Sequence, residues 1–201
     1  GGEVIFADID SETYLLDINK VRHLLESAPK GTYKGIIPVD FAGRAVNLEE
    51  YRKLADEYNL WIIEDACHAL GAEFLDSKGE WQFSGNGVYA DISVFSFHPV
   101  KHLATGEGGM ICTRNPKLYE KLRVLRTHGI VRSPEQMTKY DGPWYYEMQE
   151  LGFNYRISDV LCALGVSQLQ RMSGNLQRRR QVAQVYRDAL KDLPLKMQHD
   201  G

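Results

Sequence analysis

The chain has 201 residues, of which 43% are hydrophobic and 25% charged, an ordinary composition for a globular domain with a real core. Its 24 lysine and arginine residues against 27 aspartate and glutamate residues give a net charge of −3, which does not favour nucleic acid or an anionic membrane as a partner. No apolar run is long enough to span a bilayer. The three widely spaced cysteines, Cys67, Cys112 and Cys162, indicate reduced thiols in a cytoplasmic protein without a metal site.

Short apolar runs alternate with amphipathic runs along the first two thirds of the chain. The predicted elements are, in chain order, a strand at 4–7, a helix capped by Asp17 that ends near residue 28, a strand at 35–39, a helix at 48–58, strands at 60–63, 92–97 and 109–113, and a helix capped by Asn115 that ends near residue 126. This alternation is typical of a parallel sheet, which binds ligands just beyond its strand ends. The expected fold class is therefore α/β, a mainly parallel sheet with helices on both faces.

The last third of the chain has a different pattern. Residues 127–152 lack a clean period and contain two prolines, Trp144 and paired tyrosines. Their aromatic content favours a long ordered loop over a disordered linker. From Ser158 a helical pattern continues for many residues, and Gly174 is expected to break or kink it.

The first candidate site follows the apolar run at 60–63, which ends on Glu64 and Asp65. An acidic group at the carboxyl end of a buried strand is poorly solvated and needs a cationic partner or several hydrogen bonds. For Asp65, a protonated pyridine nitrogen would be such a partner, and the ring would then act as an electron sink. The alternative is that Asp65 simply caps a helix that begins at Ala66.

The second candidate site follows the strand at 92–97. Ser96 lies at the end of this strand, and Lys101 comes shortly after it, ahead of a glycine-rich stretch. Desolvation lowers the pKa of a lysine and frees its amine to attack a carbonyl. The Ser96 hydroxyl suits a phosphate, and the glycines allow the backbone to approach a ligand closely. The alternative is an ordinary surface lysine on a loop.

Together these motifs are far more specific, and here the chain resembles the DegT/DnrJ/EryC1/StrS family of sugar aminotransferases, which depend on pyridoxal 5′-phosphate (PLP). The similar stretches cover most of residues 4–192 in the family's order and spacing. They read IIPVDFAGRAVNLEE, WIIEDACHALGAEF, ADISVFSFHPVKHLATGEGGMICT, LRVLRTHGI and ELGFNYRISDVLCALGVSQL. The resemblance implies the aspartate-aminotransferase-like fold, known as fold type I of the PLP-dependent transferases.

The resemblance implies a role for each of five residues. Lys101 matches the lysine that holds PLP as a Schiff base, and Asp65 matches the aspartate on the pyridine nitrogen. Ser96 matches a serine on the cofactor phosphate. His68 stands where many members have a glutamine near the cofactor's phenolic oxygen. Asn154, in GFNYR, matches an asparagine that reaches the phosphate of the neighbouring subunit's cofactor, which implies a homodimer with shared active sites.

The resemblance also implies a reaction. One subgroup of the family has histidine in place of the lysine and dehydrates sugars, so Lys101 favours transamination. The stretches SFHPVKHLATGEGG and GPWYYEMQELGFNYR are most similar to the subgroup of pseudaminic acid biosynthesis. Its members transfer an amino group from L-glutamate to C4 of a UDP-linked 4-keto-6-deoxy-N-acetyl sugar. Two alternatives stay open, a C3 aminotransferase of a dTDP-linked keto sugar and a non-catalytic binding relative.

The family also has a preceding segment with a Gly/Ser/Thr-rich phosphate-binding helix start, and a smaller domain that follows. Neither pattern is recognised in this sequence. Residues 1–201 are therefore expected to form the central part of the PLP-binding large domain. Such a chain would contain the centre of the fold without every group that turnover needs.

Overall fold

The computed structural model describes residues 1–199. Its elements are, in chain order, α1 (Ile18–Glu26), β1 (Gly35–Ile36), α2 (Leu48–Tyr58), β2 (Trp61–Asp65), β3 (Glu73–Leu75), β4 (Trp81–Phe83), β5 (Ile92–Ser96), β6 (Gly109–Cys112), α3 (Pro116–Leu125), β7 (Ile130–Val131), β8 (Glu147–Met148), α4 (Asp159–Gln170) and α5 (Met172–Leu190). Across this part of the chain, no helix has the length and apolar character needed to cross a membrane.

The central sheet has four strands in the order β1-β2-β5-β6. The first three are parallel, and β6 runs antiparallel to β5. In the β2–β5 pair, Glu64 lies opposite Ser93 and Asp65 lies opposite Val94. The predicted α/β class with a mainly parallel sheet is confirmed.

The strand predicted at 35–39 is interrupted in the structure. Its ladder ends at Ile36, because Pro38 has no backbone N–H to donate. Pairing resumes as a single parallel bridge between Val39 and Asp65. The Pro38 carbonyl still accepts a hydrogen bond from the Asp65 N–H at 2.9 Å, so the end of β2 remains held by its neighbour.

The helices begin and end where local side chains dictate. Asp17 caps α1 by accepting a hydrogen bond from the Asn19 N–H, and Asn115 caps α3 in the same way through the amides of Lys117 and Leu118. The helix α2 covers the predicted residues 48–58 and ends at Asn59, which adopts the left-handed conformation that closes helices.

The strand predicted at 4–7 is wrong. Residues 4–7 pair with no other strand in the described part of the chain, and Phe6 is 91% exposed. An apolar run becomes a strand only where a neighbouring backbone satisfies its N–H and C=O groups. Here the first pairing in the chain is a bridge between Ile9 and Leu16.

The long C-terminal helical pattern is broken at Arg171 and not at Gly174. Arg171 has φ −101° and ψ −2°, which ends α4 and begins α5, whereas Gly174 lies within α5. A glycine inside a helix lowers stability by about 1 kcal/mol without forcing a break. The long loop predicted at 127–152 contains the short antiparallel pair β7–β8.

The larger hydrophobic core packs α1 and α2 against the sheet. It is built from buried residues of both helices and of β1 and β2, among them Leu25, Ile36, Leu54, Ala55 and Ile62. A smaller cluster is built from β5 and from the loops that follow β2 and β5, and it consists of Ala66, Ala69, Phe95, Phe97 and Leu103. The loops that carry the candidate site are therefore held together by their own buried apolar side chains.

Truncation of this core should destabilise the protein. Leu54 is 1% exposed in α2, so Leu54→Ala leaves a cavity and should lower the free energy of unfolding by about 2–5 kcal/mol. The exposed Lys20 in α1 provides the control, because Lys20→Ala should change that free energy by no more than about 0.5 kcal/mol. Urea unfolding of both variants measures the difference, and equal losses would contradict the assignment of the core.

Candidate functional site

The candidate site lies at the shared carboxyl edge of β2 and β5. Side chains alternate between the two faces of a strand. Because Asp65 lies opposite Val94, and Ser96 is two residues further along β5, Asp65 and Ser96 project from the same face of the sheet. Glu64 and Ser93 project from the opposite face, where the Ser93 hydroxyl donates a hydrogen bond to Glu64.

Asp65 is half-buried and does not cap a helix. Its Oδ1 accepts a hydrogen bond from the Cys67 N–H at 3.1 Å, which forms a turn at 67–68 where a helix would otherwise start. The helix-cap alternative for Asp65 is therefore wrong. Both backbone polar groups of Asp65 bind the segment that follows β1, since its N–H donates to the Pro38 carbonyl and its carbonyl accepts from the Asp40 N–H at 3.0 Å.

The loop after β5 folds back on itself and presents Lys101. The Phe97 N–H donates to the Gly108 carbonyl at 2.8 Å, and the Thr105 N–H donates to the Phe97 carbonyl at 2.9 Å. The buried Thr105 hydroxyl closes the turn by donating to the Glu107 carbonyl. Lys101 itself is half-buried within a turn that its N–H forms with the His98 carbonyl.

Lys101 and His68 line the same cavity, which has a volume of about 250 Å³. Its other lining residues are Ala42, Val100, His102 and Arg179. The Arg179 guanidinium donates a long hydrogen bond of 3.5 Å to the Lys101 carbonyl, so α5 contacts the lysine loop directly. Four groups capable of positive charge meet here, an arrangement that suits an anionic ligand.

The electrostatics of this cavity follow from burial and from its positive groups. Burial is the largest cause that lowers the pKa of His102, and Arg179, His68 and Lys101 lower it further. At neutral pH, His102 is therefore an uncharged imidazole, and its Nδ1 is buried without a hydrogen-bond partner within residues 1–199.

Asp65 and Lys101 both influence the Cys67 thiol. Burial and the Asp65 carboxylate raise the pKa of the Cys67 thiol to about 11, while the charge of Lys101 acts in the opposite direction. Both groups therefore act on one sulfur atom. The thiol stays protonated at neutral pH and is a poor nucleophile.

Neither Ser96 nor Asn154 lines the Lys101 cavity, and Asp65 does not line it either. Ser96 is half-buried at the end of β5, where its Oγ accepts a hydrogen bond from the His98 N–H at 3.3 Å. Asn154 is exposed, forms an antiparallel bridge with Thr127 and does not line the Lys101 cavity of its own chain. It lies in extended backbone and not in a turn.

Sequence reasoning missed three features of the site. It assigned burial to Asp65, whereas the buried acid is Glu64, and strand alternation could have separated the two. It also gave no role to His102, which directly follows Lys101. Arg179 reaches the cavity from 78 residues away, and no local pattern signals such a contact.

The comparisons with known proteins identify the family and the fold. A sequence model of the DegT/DnrJ/EryC1/StrS aminotransferase family matches residues 1–201. The UDP-4-amino-4,6-dideoxy-N-acetyl-beta-L-altrosamine transaminase of Campylobacter jejuni is 42% identical over 188 residues, which are 92% of this chain and 45% of that protein. The chain spans about half the length of the curated relatives that it matches.

Solved structures match the same region. The aminotransferase PseC of Helicobacter pylori, involved in pseudaminic acid biosynthesis, superposes with a TM-score of 0.78 at 32% identity, covering 94% of this chain and 46% of that one. A protein named Spr1654 from Streptococcus pneumoniae, solved in its PLP form, superposes with a TM-score of 0.72 at 27% identity, with 94% and 48% covered.

The contact between Asp65 and Cys67 can be tested without a ligand. Asp65→Asn removes the negative charge that raises the pKa of the Cys67 thiol, so the thiolate fraction and the alkylation rate at pH 8 should rise several-fold. The measurement is the iodoacetamide labelling rate of each cysteine by mass spectrometry on the full-length protein. The exposed Cys162 is the internal control and should keep its rate. An unchanged Cys67 rate would contradict the contact.

Proposed function

We propose that this chain, which belongs to the DegT/DnrJ/EryC1/StrS aminotransferase family, carries the central part of the PLP-binding large domain of a nucleotide-sugar aminotransferase. The observation that carries the proposal is the cavity that Lys101 and His68 line together, with His68 on the turn that follows Asp65 at the end of β2. Enzymes of this family depend on PLP, and the similar Spr1654 structure was solved in its PLP form.

The residues present fit PLP by their chemistry. PLP combines a phosphate, an aldehyde and a pyridine nitrogen, and it acts as an electron sink when it is bound. The half-buried Asp65 keeps one carboxylate oxygen beyond its contact with Cys67 and can hold the pyridine nitrogen protonated. The Ser96 hydroxyl suits the phosphate, and His68 suits the phenolic oxygen. Lys101 supplies the amine that condenses with the aldehyde.

Lys101 has a second task in this proposal. Once the amino donor displaces it, its free Nζ takes a proton from the donor carbon and returns a proton at the acceptor end, as general base and then general acid. The turn formed by Lys101 and His98, together with the Arg179 contact to the Lys101 carbonyl, fixes the backbone from which that amine reaches. Positioning of this kind raises the rate without adding a new chemical group.

The proposed substrates are L-glutamate and a UDP-linked 4-keto-6-deoxy-N-acetyl sugar, aminated at C4. The support is the identity of 42% to the C. jejuni transaminase, whose name states such a product. Mass spectrometry of reactions with glutamate and a set of UDP- and dTDP-linked keto sugars tests the assignment on the full-length protein. Product from a dTDP sugar aminated at C3 would favour that alternative, and no product from any sugar would favour a binding relative. We also propose that the enzyme acts in the cytoplasm.

Lys101 should prove to be the attachment point of PLP. The full-length protein with PLP should show an absorbance band near the visible that borohydride bleaches, and peptide mapping should find the added mass on Lys101. Lys101→Arg keeps the positive charge but cannot form the bond, so the trapped mass and single-turnover transamination should both be lost. Trapping at another lysine, or near-normal turnover in Lys101→Arg, would contradict the assignment.

We further propose a homodimer in which Asn154 completes the partner's site. Asn154 is exposed, and its neighbours in the chain are exposed apolar or aromatic side chains, since Leu151 is 84% exposed and Phe153 stacks on Tyr155 at 4.8 Å. Exposed patches of this type are common at subunit interfaces. Asn154 lies outside the Lys101 cavity of its own chain, so its side chain is available to another subunit.

Subunit mixing tests this shared site. When Lys101→Ala subunits exchange with Asn154→Ala subunits, one site of each mixed dimer should carry both substitutions and the other site should carry neither. Activity should therefore return in part. Lys101→Ala mixed with Asp65→Asn is the matched control, because both residues belong to one chain's site and no mixed dimer is repaired. Absence of recovery in the first mixture, despite proven exchange, would contradict the shared site.

A further inference from the structure

Two buried carboxyl groups lie near the carboxyl end of β2, and neither makes any of the proposed cofactor contacts. Asp40 is 0% exposed and Glu64 is 1% exposed. Neither forms a salt bridge with any lysine, arginine or histidine in the described part of the chain. An ionised carboxyl is costly to bury unless hydrogen bonds satisfy it, so the partners of each oxygen decide which group is charged.

Glu64 has the surroundings of an ionised carboxylate. Its Oε2 accepts a hydrogen bond from the Ser93 hydroxyl at 2.5 Å. Both of its oxygens lie 3.0 Å from the Gly85 N–H. These contacts come from donors, and donors stabilise the charged form of an acid.

Asp40 has different surroundings. Its Oδ1 accepts a hydrogen bond from the Val46 N–H at 2.9 Å. Its Oδ2 is buried and accepts no hydrogen bond from any group in residues 1–199. Val39 pairs with Asp65 in a parallel bridge, so Asp40 and Glu64 project from the same face of the sheet. A proton on Oδ2 would let this oxygen donate to the Glu64 carboxylate, and Glu64 is among the groups that raise the pKa of Asp40.

We propose that Asp40 carries a proton at Oδ2, that it shares this proton with Glu64, and that the pair is a positioning element for Asp65. Both members of the pair are connected directly to Asp65. Glu64 directly precedes Asp65 in β2, and the backbone N–H of Asp40 donates to the Asp65 carbonyl at 3.0 Å. Asp40 therefore holds this dipeptide twice, through its side chain at Glu64 and through its backbone at Asp65. The role in positioning a cofactor contact rests on the proposed function.

The groups that face the pair support one shared proton. Burial is the first cause that raises the pKa of Asp40 to about 7, and the charge of Glu64 adds to it, against the lowering effect of the Val46 N–H. The nearby Ser84 hydroxyl also lowers this pKa, although its Oγ is buried and forms no hydrogen bond within residues 1–199. On β6, burial and the charge of Glu64 raise the pKa of the Cys112 thiol, which stays neutral. The pair thus holds one negative charge among neutral groups.

The first test is the pH dependence of stability in the full-length protein without PLP. The pKa of Asp40 rises from 3.8 to about 7 on folding, so its contribution to stability is complete below 3.8 and is lost as the pH rises through 7. Asp40→Asn keeps the acceptor for Val46 and places an N–H donor towards Glu64, with no proton to lose. The difference in urea midpoint between wild type and Asp40→Asn should therefore shift in favour of the variant over this range. A constant difference would overturn the shared proton.

Asp76 provides the matched control, because it is a buried acid of the opposite kind. Its oxygens accept hydrogen bonds from the amides of Lys78 and Glu80 and from the side chains of Gln82 and Tyr89, and these donors lower its pKa. Asp76→Asn should destabilise the protein at neutral pH and gain nothing as the pH rises from 5 to 7. If Asp76→Asn and Asp40→Asn behave alike, burial alone explains the effect and the proposal is wrong.

The second test asks whether the pair positions Asp65, and its readout is the labelling rate of Cys67. Asp40→Ala removes both side-chain contacts, so the Asp65 contact with Cys67 should loosen and labelling should accelerate several-fold, whereas Asp40→Asn should keep the wild-type rate. If Asp40→Ala does not fold, Glu64→Gln replaces it: an amide donor then faces an ionised Asp40, and the pH-dependent change should move to lower pH.

Each outcome of this second test is decisive. A wild-type labelling rate in Asp40→Ala would overturn the positioning role, and an unshifted pH profile in Glu64→Gln would overturn the shared proton on which that role depends. Accelerated labelling in Asp40→Asn would overturn the shared proton. None of these measurements needs PLP, so a failure of borohydride trapping at Lys101 would reject the proposed function and leave the carboxyl pair to be judged separately.

Discussion

The parallel pairing of β2 with β5 is the constraint on which the site depends. With Asp65 opposite Val94, both strands end at the same edge, and Asp65 and Ser96 face the same side of the sheet. A shift of one residue in this register would turn Asp65 into the core and Glu64 towards the site. The hydrogen bond from Ser93 to Glu64 opposes such a shift, because it forms only when these two residues lie opposite each other.

Strand alternation gives the two consecutive acids at the end of β2 different environments and different roles. Glu64 is buried among donors on one face, and Asp65 is half-buried on the other face with one oxygen bound to the Cys67 amide. A strand cannot place two adjacent side chains in one environment. The motif Glu-Asp therefore supplies one group to the interior and one to the site, and the interior group is linked to the site through the shared backbone.

Local interactions explain which parts of the fold the sequence could predict. Asp17, Asn115 and Ser158 each accept a hydrogen bond from an amide two or three residues ahead, so the start of a helix is encoded within one turn. Periodicity likewise fixed α2 at Leu48–Tyr58. The strand expected at 4–7 failed because pairing depends on a neighbour that no local pattern specifies. Resemblance to a family, and not periodicity, singled out His68 and Asn154.

The contacts that shape the cavity are of the non-local kind. Arg179 of α5 reaches the Lys101 carbonyl, and Leu176 of the same helix packs over Gly71, where a β-carbon would lie 2.5 Å from the leucine side chain. Gly71 has φ +84°, so both its backbone conformation and this close approach favour glycine. Because α5 rests on the loop after β2 and also touches the loop after β5, it joins the two loops that carry Asp65 and Lys101. A change in the path of this helix would alter both loops together, and for that reason the position of α5 belongs to the site as much as the strand ends do.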